Sequence, residues 1–564
     1  MGDVRAGLDW LRRLARRGRA AAPVEPSRRR LLLLQIDGLS SERLVRALAG
    51  GTMPHLAARL ASGSLSLKRL RTATAPSTPV HQAALLYGTA AGIPGFGWHD
   101  RALGRTVRMD LAEDVAAVEE ELTRLGGPSL LAGGVSYGTL FVGRARDAFF
   151  NLVCWGSDAP PPLPRPRLHN LFDRLASLAT GATIAGHVAA RFGVELSAGA
   201  LDLWRFFRRQ RTTRFEWRYL YMRLFVSVIL RDVATHGAVL DVLRGEPTIY
   251  ADYFGYDETA HRRGPDSLLA FYNLRGVDEA IERIARAAES VPEYRYDLFV
   301  ISDHGQSATT PFERLVGEEL GAFVLRHAGP APTAADVRGD DIRALVRIRA
   351  AQLWSRTLSP PLHASVALYL AWLARGVERR LRAARLPAEV TVVTGGSIAH
   401  VYLDGQPDPR RLDEIERGWP HLVGALTRCE AVGLIVARAR GGPVVLVDGK
   451  AVPLADRARL ARLPPFRAVG VELLAGRLAE VAASPRSGDL VLFGAFARAG
   501  NVAFDFELGS HGGVHPDELD CFLIHPSDVA VPLDGVVRAE ELHRFFRARY
   551  VEPGRRAKTT RCAS

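Results

Sequence analysis

Three short apolar runs, each leading towards a carboxylate, constrain this chain more than any other feature. Leu31-Leu-Leu-Leu-Gln-Ile36 runs into Asp37-Gly38, and Leu298-Phe-Val-Ile-Ser302 runs into Asp303-His304-Gly305. Thr248-Ile-Tyr-Ala-Asp-Tyr253 lies just before Asp257. A continuous apolar run of this length, bounded by a turn signal, reads as a strand covered on both faces, the usual state in a parallel sheet. Helical stretches expected at Met109–Leu125 and Ser267–Val291 supply the cover, which makes the chain α/β with a mostly parallel central sheet flanked by helices. Ligands of such sheets gather beyond the carboxyl ends of the strands, so the repeated carboxylates mark a site.

The composition allows a large core. Of 564 residues 47% are hydrophobic and 24% charged, which excludes a disordered or fibrous chain. Lys+Arg exceed Asp+Glu by 74 to 61, a net charge of +13, and the only lysines are Lys68, Lys450 and Lys558. Cys154, Cys429, Cys521 and Cys562 are far apart, so neither a zinc ribbon nor a disulfide framework is expected. Leu8, Leu11 and Leu14 are scattered among six arginines between Arg5 and Arg19, without the apolar core of a secretory signal. With no run near the ~18 apolar residues of a membrane span, the expectation is a cytoplasmic protein.

The chain divides into segments by composition. A basic tail (1–27) precedes a first core segment (28–154). Residues 155–245 open with Pro160-Pro-Pro-Leu-Pro164 and continue as a helical excursion. A second core segment (246–310) follows. An inserted cap is expected over 311–495, with a long helical stretch at Asp340–Leu386 and strands at Val390–Val393 and Pro443–Val447. A third core segment (496–550) and a basic tail (551–564) complete it. Between Trp204 and Tyr221 arginines alternate with aromatics. That pattern suits a peripheral contact with the inner membrane face as well as a helix packing its aromatic side on the core. No specific nucleic-acid binding is expected, and nothing in the sequence specifies an oligomeric state.

Four places offer metal-ligand chemistry at strand-to-loop junctions: Asp37, Asp257 with His261, the adjacent Asp303-His304, and Gly509-Ser-His511-Gly512. Singly, each is ordinary. Together they supply three carboxylates and three imidazoles, which two zinc-like ions with three protein ligands each would use fully. Pro76-Ser77-Thr78-Pro79 precedes a helix-like run ending at Gly88. A hydroxyl at a helix N-terminus suits both an N-cap and a nucleophile facing phosphate.

In this order the motifs resemble the alkaline phosphatase superfamily, within it the type I phosphodiesterase/nucleotide pyrophosphatase branch, and the Gly255–Pro265 stretch is like uncharacterised bacterial members. The resemblance covers roughly 28–105, 245–310 and 500–525. It implies an alkaline-phosphatase-like core and a metal-dependent phosphoric ester hydrolase that cleaves a nucleotide, lipid or lipid-linked diester. One zinc would be held by Asp257, His261 and His511, the other by Asp37, Asp303 and His304, with manganese the alternative metal. Counting ten residues back from Gly88 makes Thr78 the nucleophile, with Ser77 the fallback, and implies a phospho-threonine intermediate. By the same count the family's phosphate-binding asparagine falls on His99, a departure from the pattern. Arg262 and Arg263 are expected to neutralise phosphate charge. Phosphomonoester hydrolysis and phosphoryl transfer to an alcohol are the alternatives on the same site; a non-enzymatic membrane-surface protein is disfavoured by the complete ligand set. A sulfatase is disfavoured too, since no C-x-P-x-R segment surrounds Thr78.

Overall fold

The structure is a computed structural model. It describes residues 29–149, 223, 225–329, 334–336 and 390–552, apart from 91, 404–406, 448 and 498–499, together with isolated positions 197 and 201. The expected basic tails, the Trp204–Tyr221 stretch and the expected Asp340–Leu386 helix lie outside the described residues.

Leu31 to Ile36 alternate between two cores, as successive side chains of a strand must. Leu32, Leu34 and Ile36 pack with the Leu268–Glu289 helix on one face. Leu31 and Leu33 pack on the other with the Thr78–Tyr87 and Ala112–Leu125 helices. This two-sided burial accounts for the unbroken apolar run. The Arg30–Ile36 strand is central in an eight-stranded sheet, parallel to Thr248–Tyr253 on one side and Tyr296–Ile301 on the other. Gln35 is level with both Asp252 and Ile301, so Asp37, Asp252 and Asp303 gather at one edge of the sheet. Only Asp520–Pro526 runs against the other seven strands. The α/β expectation, a mostly parallel sheet between helices, holds.

The helix expected to begin at Met109 starts at Ala112, and the one expected over Ser267–Val291 spans Leu268–Glu289, with Ser267 capping Ala270 N–H. One expectation is corrected: Asp257 and His261 do not sit at a strand-to-loop junction. The Thr248–Tyr253 strand passes through Phe254 into the Gly255–Arg263 helix, which carries both residues one turn apart on one face.

Where a cap is expected, the described residues build a second sheet. Its seven strands run in the order Ala334–Asp336, Val390–Gly395, Ile398–Leu403, Leu490–Gly494, Val432–Ala439, Gly442–Val447 and Lys450–Pro453. Apolar clusters pack on it around Val401 and Leu492 and around Val436 and Val491. Its first hairpin turn reaches the segment around His511: Ser397 N–H donates to the carbonyl of His511 (3.0 Å), while Gly396 N–H and Thr394 Oγ1 donate to Asp505 at 2.9 and 2.8 Å. A small four-stranded sheet joins Ser307–Pro311 to Gly509–Ser510 and so brings His511 beside His304. Among the described residues no helix is long and apolar enough to cross a membrane.

Candidate active site

The place of each candidate ligand borne by a strand follows from where its strand stops. Asp37 comes one residue after Ile36, beside Gly38 in the left-handed region (φ +68°), and Asp303 comes two after Ile301. Gly38 N–H donates to Asp303 Oδ1 (3.3 Å), tying the two strand ends together. Asp257 and His261 project from the Gly255–Arg263 helix, and His511 arrives from the loop braced by the second sheet.

Two triads result. One ligand atom each from Asp37, Asp303 and His304 lie within 4.8 Å of one another, and the same holds for Asp257, His304 and His511. His304 offers an atom to both triads. Its ring stacks on that of His511 at 4.0 Å. His261 stands at the margin, with Nε2 3.1 Å from Asp257 Oδ2 and its ring 5.0 Å from that of His511. Thr78 belongs to the cluster: Oγ1 lies 3.4 Å from Asp37 Oδ1 and 3.3 Å from His304 Nε2. Ser77 is the N-cap of the Thr78–Tyr87 helix and makes no side-chain cap bond.

The donor set suits divalent cations. His261, His304 and His511 turn Nδ1 to the carbonyls of Gly509 (2.9 Å), Gly305 (3.1 Å) and Pro76 (2.8 Å). That pinning makes Nδ1 the donor and leaves Nε2 as the atom that can meet a metal, as backbone partners of ligating histidines generally do. Burial holds His304 and His511 in the neutral form, each lowered to about 4. Burial and repulsion by Asp303, Asp252 and Asp257 push Asp37 well above the carboxylate range. Burial and Asp257 also raise Asp303. Burial acts to raise Asp257 as well, but His261 holds it below its ordinary value, and burial, which would lower His261, is outweighed by Glu507 and Asp257, which raise it well above the usual imidazole range. Buried carboxylates that repel one another demand positive charge. Asp303 Oδ2, fully buried and with no hydrogen bond, is a ready ligand atom. The residues present fit a metal centre.

The other expected residues, His99, Arg262 and Arg263, have settings of their own. The buried His99 pairs with Thr106 across a short hairpin, packs on the Tyr402 ring at 5.5 Å, and is lowered by burial and by Arg101. Its hairpin packs on the second sheet, with Gly97 against Val393. Arg262 and Arg263 occupy the last turn of the Gly255–Arg263 helix, half-buried, and Arg263 Nη1 donates to the Arg262 carbonyl (3.1 Å).

Other residues enter the site unannounced. Asp252 is a fourth buried carboxylate, its Oδ2 accepting from Gln82 (2.8 Å) and Gln35 (3.3 Å). A charged residue inside an otherwise apolar buried strand was its available signal. Gln306 grips Asp257 through both Oδ1 and the backbone carbonyl. Glu507 reaches His261 from behind.

The profile of the type I phosphodiesterase/nucleotide pyrophosphatase family matches residues 31–352, more than half of the chain. The chain belongs to that family, within the alkaline phosphatase superfamily, and is a metal-dependent phosphoric ester hydrolase. Among solved structures it is similar to phosphonoacetate hydrolase from Sinorhizobium meliloti 1021 in complex with phosphonoformate, at 13% identity over 94% of this chain and 100% of that one, with a TM-score of 0.45. It is also similar to murine ectonucleotide pyrophosphatase/phosphodiesterase 5, an inactive form in complex with AMP, at 11% identity over 93% and 95% of the two chains, with a TM-score of 0.43. No curated protein sequence matches it.

Proposed function

We propose that the cluster holds two divalent ions, zinc by its mixed imidazole and carboxylate donors with manganese the alternative, and that the chain cleaves a phosphodiester through Thr78. Asp37, Asp303 and His304 would hold one ion; Asp257, His261 and His511 the other, with His304 between them. When bound, the ions supply Lewis acidity and charge neutralisation for phosphoryl transfer. The observation that carries this reading is the position of the Thr78 hydroxyl, 3.3 Å from His304 Nε2 and 3.4 Å from Asp37 Oδ1, in the first turn of a buried helix.

That position suits attack. The N-terminus of the helix presents backbone N–H groups and the positive end of its dipole to an anionic phosphoryl group. Asp37 Oδ1 and His304 Nε2 are both within reach of the Thr78 hydroxyl as acceptors of its proton. As the Oγ1–P bond forms, the bond from phosphorus to the leaving alkoxide breaks, and the alkoxide departs with a proton as an alcohol. Water then cleaves the Thr78 phosphoester, and the hydroxyl regains its proton.

The test compares bis(p-nitrophenyl) phosphate with p-nitrophenyl phosphate in the presence of zinc. Faster diester turnover is expected. Faster monoester turnover replaces the diester reading with a phosphomonoesterase. The phosphoryl group found on an added alcohol, in place of the monoester or free phosphate that water releases from the two substrates, replaces hydrolysis with transfer.

A further inference from the structure

His261 makes its second contact with a carboxylate that belongs to neither triad. Glu507 Oε2 lies 3.0 Å from His261 Nδ1, and Ser510 Oγ donates to the same oxygen at 2.9 Å. Glu507 is only 6% exposed, in a place where an ionised side chain is costly unless its charge serves something nearby. The segment carrying it is held at several points. Leu508 N–H donates to the His261 carbonyl (2.9 Å), Thr309 Oγ1 donates to the Glu507 carbonyl (2.9 Å), and Thr309 N–H donates to the Leu508 carbonyl (3.0 Å). Four residues further on, the same segment delivers His511. One loop thus supplies a ligand from one side and, through Glu507, grips another ligand from behind.

The geometry points to Glu507 as a positioning residue that strengthens metal binding at the Asp257–His261–His511 site, a role that rests on the two-metal reading above. The Gly509 carbonyl already accepts from Nδ1 and orients the ring. What Glu507 adds is a negative charge on the Nδ1 side, which makes the opposite nitrogen a better donor to a cation. A carboxylate behind a ligating histidine contributes about 10–100-fold in metal affinity. Ser510 fixes the rotamer that places the charge there.

The test uses the full chain and the metal itself as probe. Zinc is titrated against a chromophoric chelator into wild type, Glu507→Gln and Ser510→Ala, and cobalt spectra are recorded to report ligand geometry. The glutamine keeps the shape and removes the charge. Glu507→Gln is expected to weaken one of two zinc equivalents about 10–100-fold, leave the other unchanged, and alter the cobalt spectrum of that site alone. Ser510→Ala is expected to weaken the same equivalent to a smaller extent, and it decides the matter if the glutamine variant does not fold. Wild-type zinc affinities at both sites in the folded variants overturn the role of Glu507. A wild-type chain that binds no zinc overturns the two-metal reading, a separate result.

Discussion

Thr78 Oγ1 stands 3.3 Å from His304 Nε2 although 226 residues separate them in the chain. The helix that Thr78 opens and the loop that follows the Tyr296–Ile301 strand converge at one edge of the sheet. Ser77 is equally close in sequence but occupies the N-cap. Thr78→Ala is therefore expected to lower kcat by about 10³-fold or more with either ester. Thr78→Ser keeps an oxygen at that position and retains measurable turnover, and Ser77→Ala stays within about tenfold of wild type. Steady-state kinetics of the three variants check this; full activity in Thr78→Ala removes it as nucleophile.

Gly38 tests how closely the strand ends must approach. Its φ is +68°, and a Cβ there would overlap Asp257 Oδ1 and lie 3.1 Å from Asp257 Cβ. Gly63 has nearly the same conformation (φ +73°) with open space around it. Both alanine variants carry the left-handed strain of roughly 1–2 kcal/mol, but only Gly38→Ala displaces a ligand. Gly63→Ala should lose stability alone, whereas Gly38→Ala should lose zinc at the Asp257 site and with it activity. Metal content and denaturant midpoints separate the two; equal activity in both variants would contradict the packing argument.

The buried carboxylates make the metal-free protein repel itself. Burial and its acidic neighbours push Asp37 well above the ordinary range, so its charge opposes folding until cations arrive. Ions bound only by the folded state stabilise it by about 4 kcal/mol per site when free metal exceeds Kd a thousandfold. A chelator should lower the thermal midpoint of the wild type, and zinc should restore it. Asp37→Asn removes a ligand and a repelling charge together. Its midpoint in chelator should be no lower than that of the metal-free wild type, and it should gain less on adding zinc. A zinc response equal to the wild type would remove Asp37 from the ligand set.

The parts readable in the sequence were those decided by local pattern. Leu31 to Ile36 read as a strand covered on both faces, and an apolar core does lie on each side of it. Gly88, at φ +73°, ends the Thr78–Tyr87 helix where a glycine permits a left-handed cap. What the sequence hid depends on contacts far apart in the chain. His261 meets the Gly509 carbonyl across 248 residues, and Glu507 arrives with it. The Asp257 helix was misplaced because a six-residue strand turns into it through Phe254 alone. Val390–Gly395 and Gly442–Val447 are recognisable as strands, but short strands do not reveal their partners, so the seven-stranded sheet they join was not legible.

The second sheet also carries a buried pH-sensitive group. His400 is 2% exposed, and its Nδ1 accepts from Gly488 N–H (3.2 Å), which requires that nitrogen to be unprotonated. Burial, with Arg438 and Arg101 nearby, lowers it to about 3 from 6.5. Above pH 6.5 the imidazole is neutral in both folded and unfolded chains, and its contribution is constant. Below 6.5 the unfolded chain binds a proton that the folded chain refuses, so stability falls with pH by up to about 1.4 kcal/mol per unit until the folded group titrates. His400→Gln keeps an acceptor and cannot titrate. Denaturant midpoints measured in chelator, so that metal release adds nothing, should therefore fall less steeply between pH 6.5 and 4 in His400→Gln than in wild type. The same strand follows the turn that holds His511, so acid loosening of this sheet should also lower activity that returns on neutralisation. Parallel slopes for the two proteins would show that His400 is protonated equally in both states.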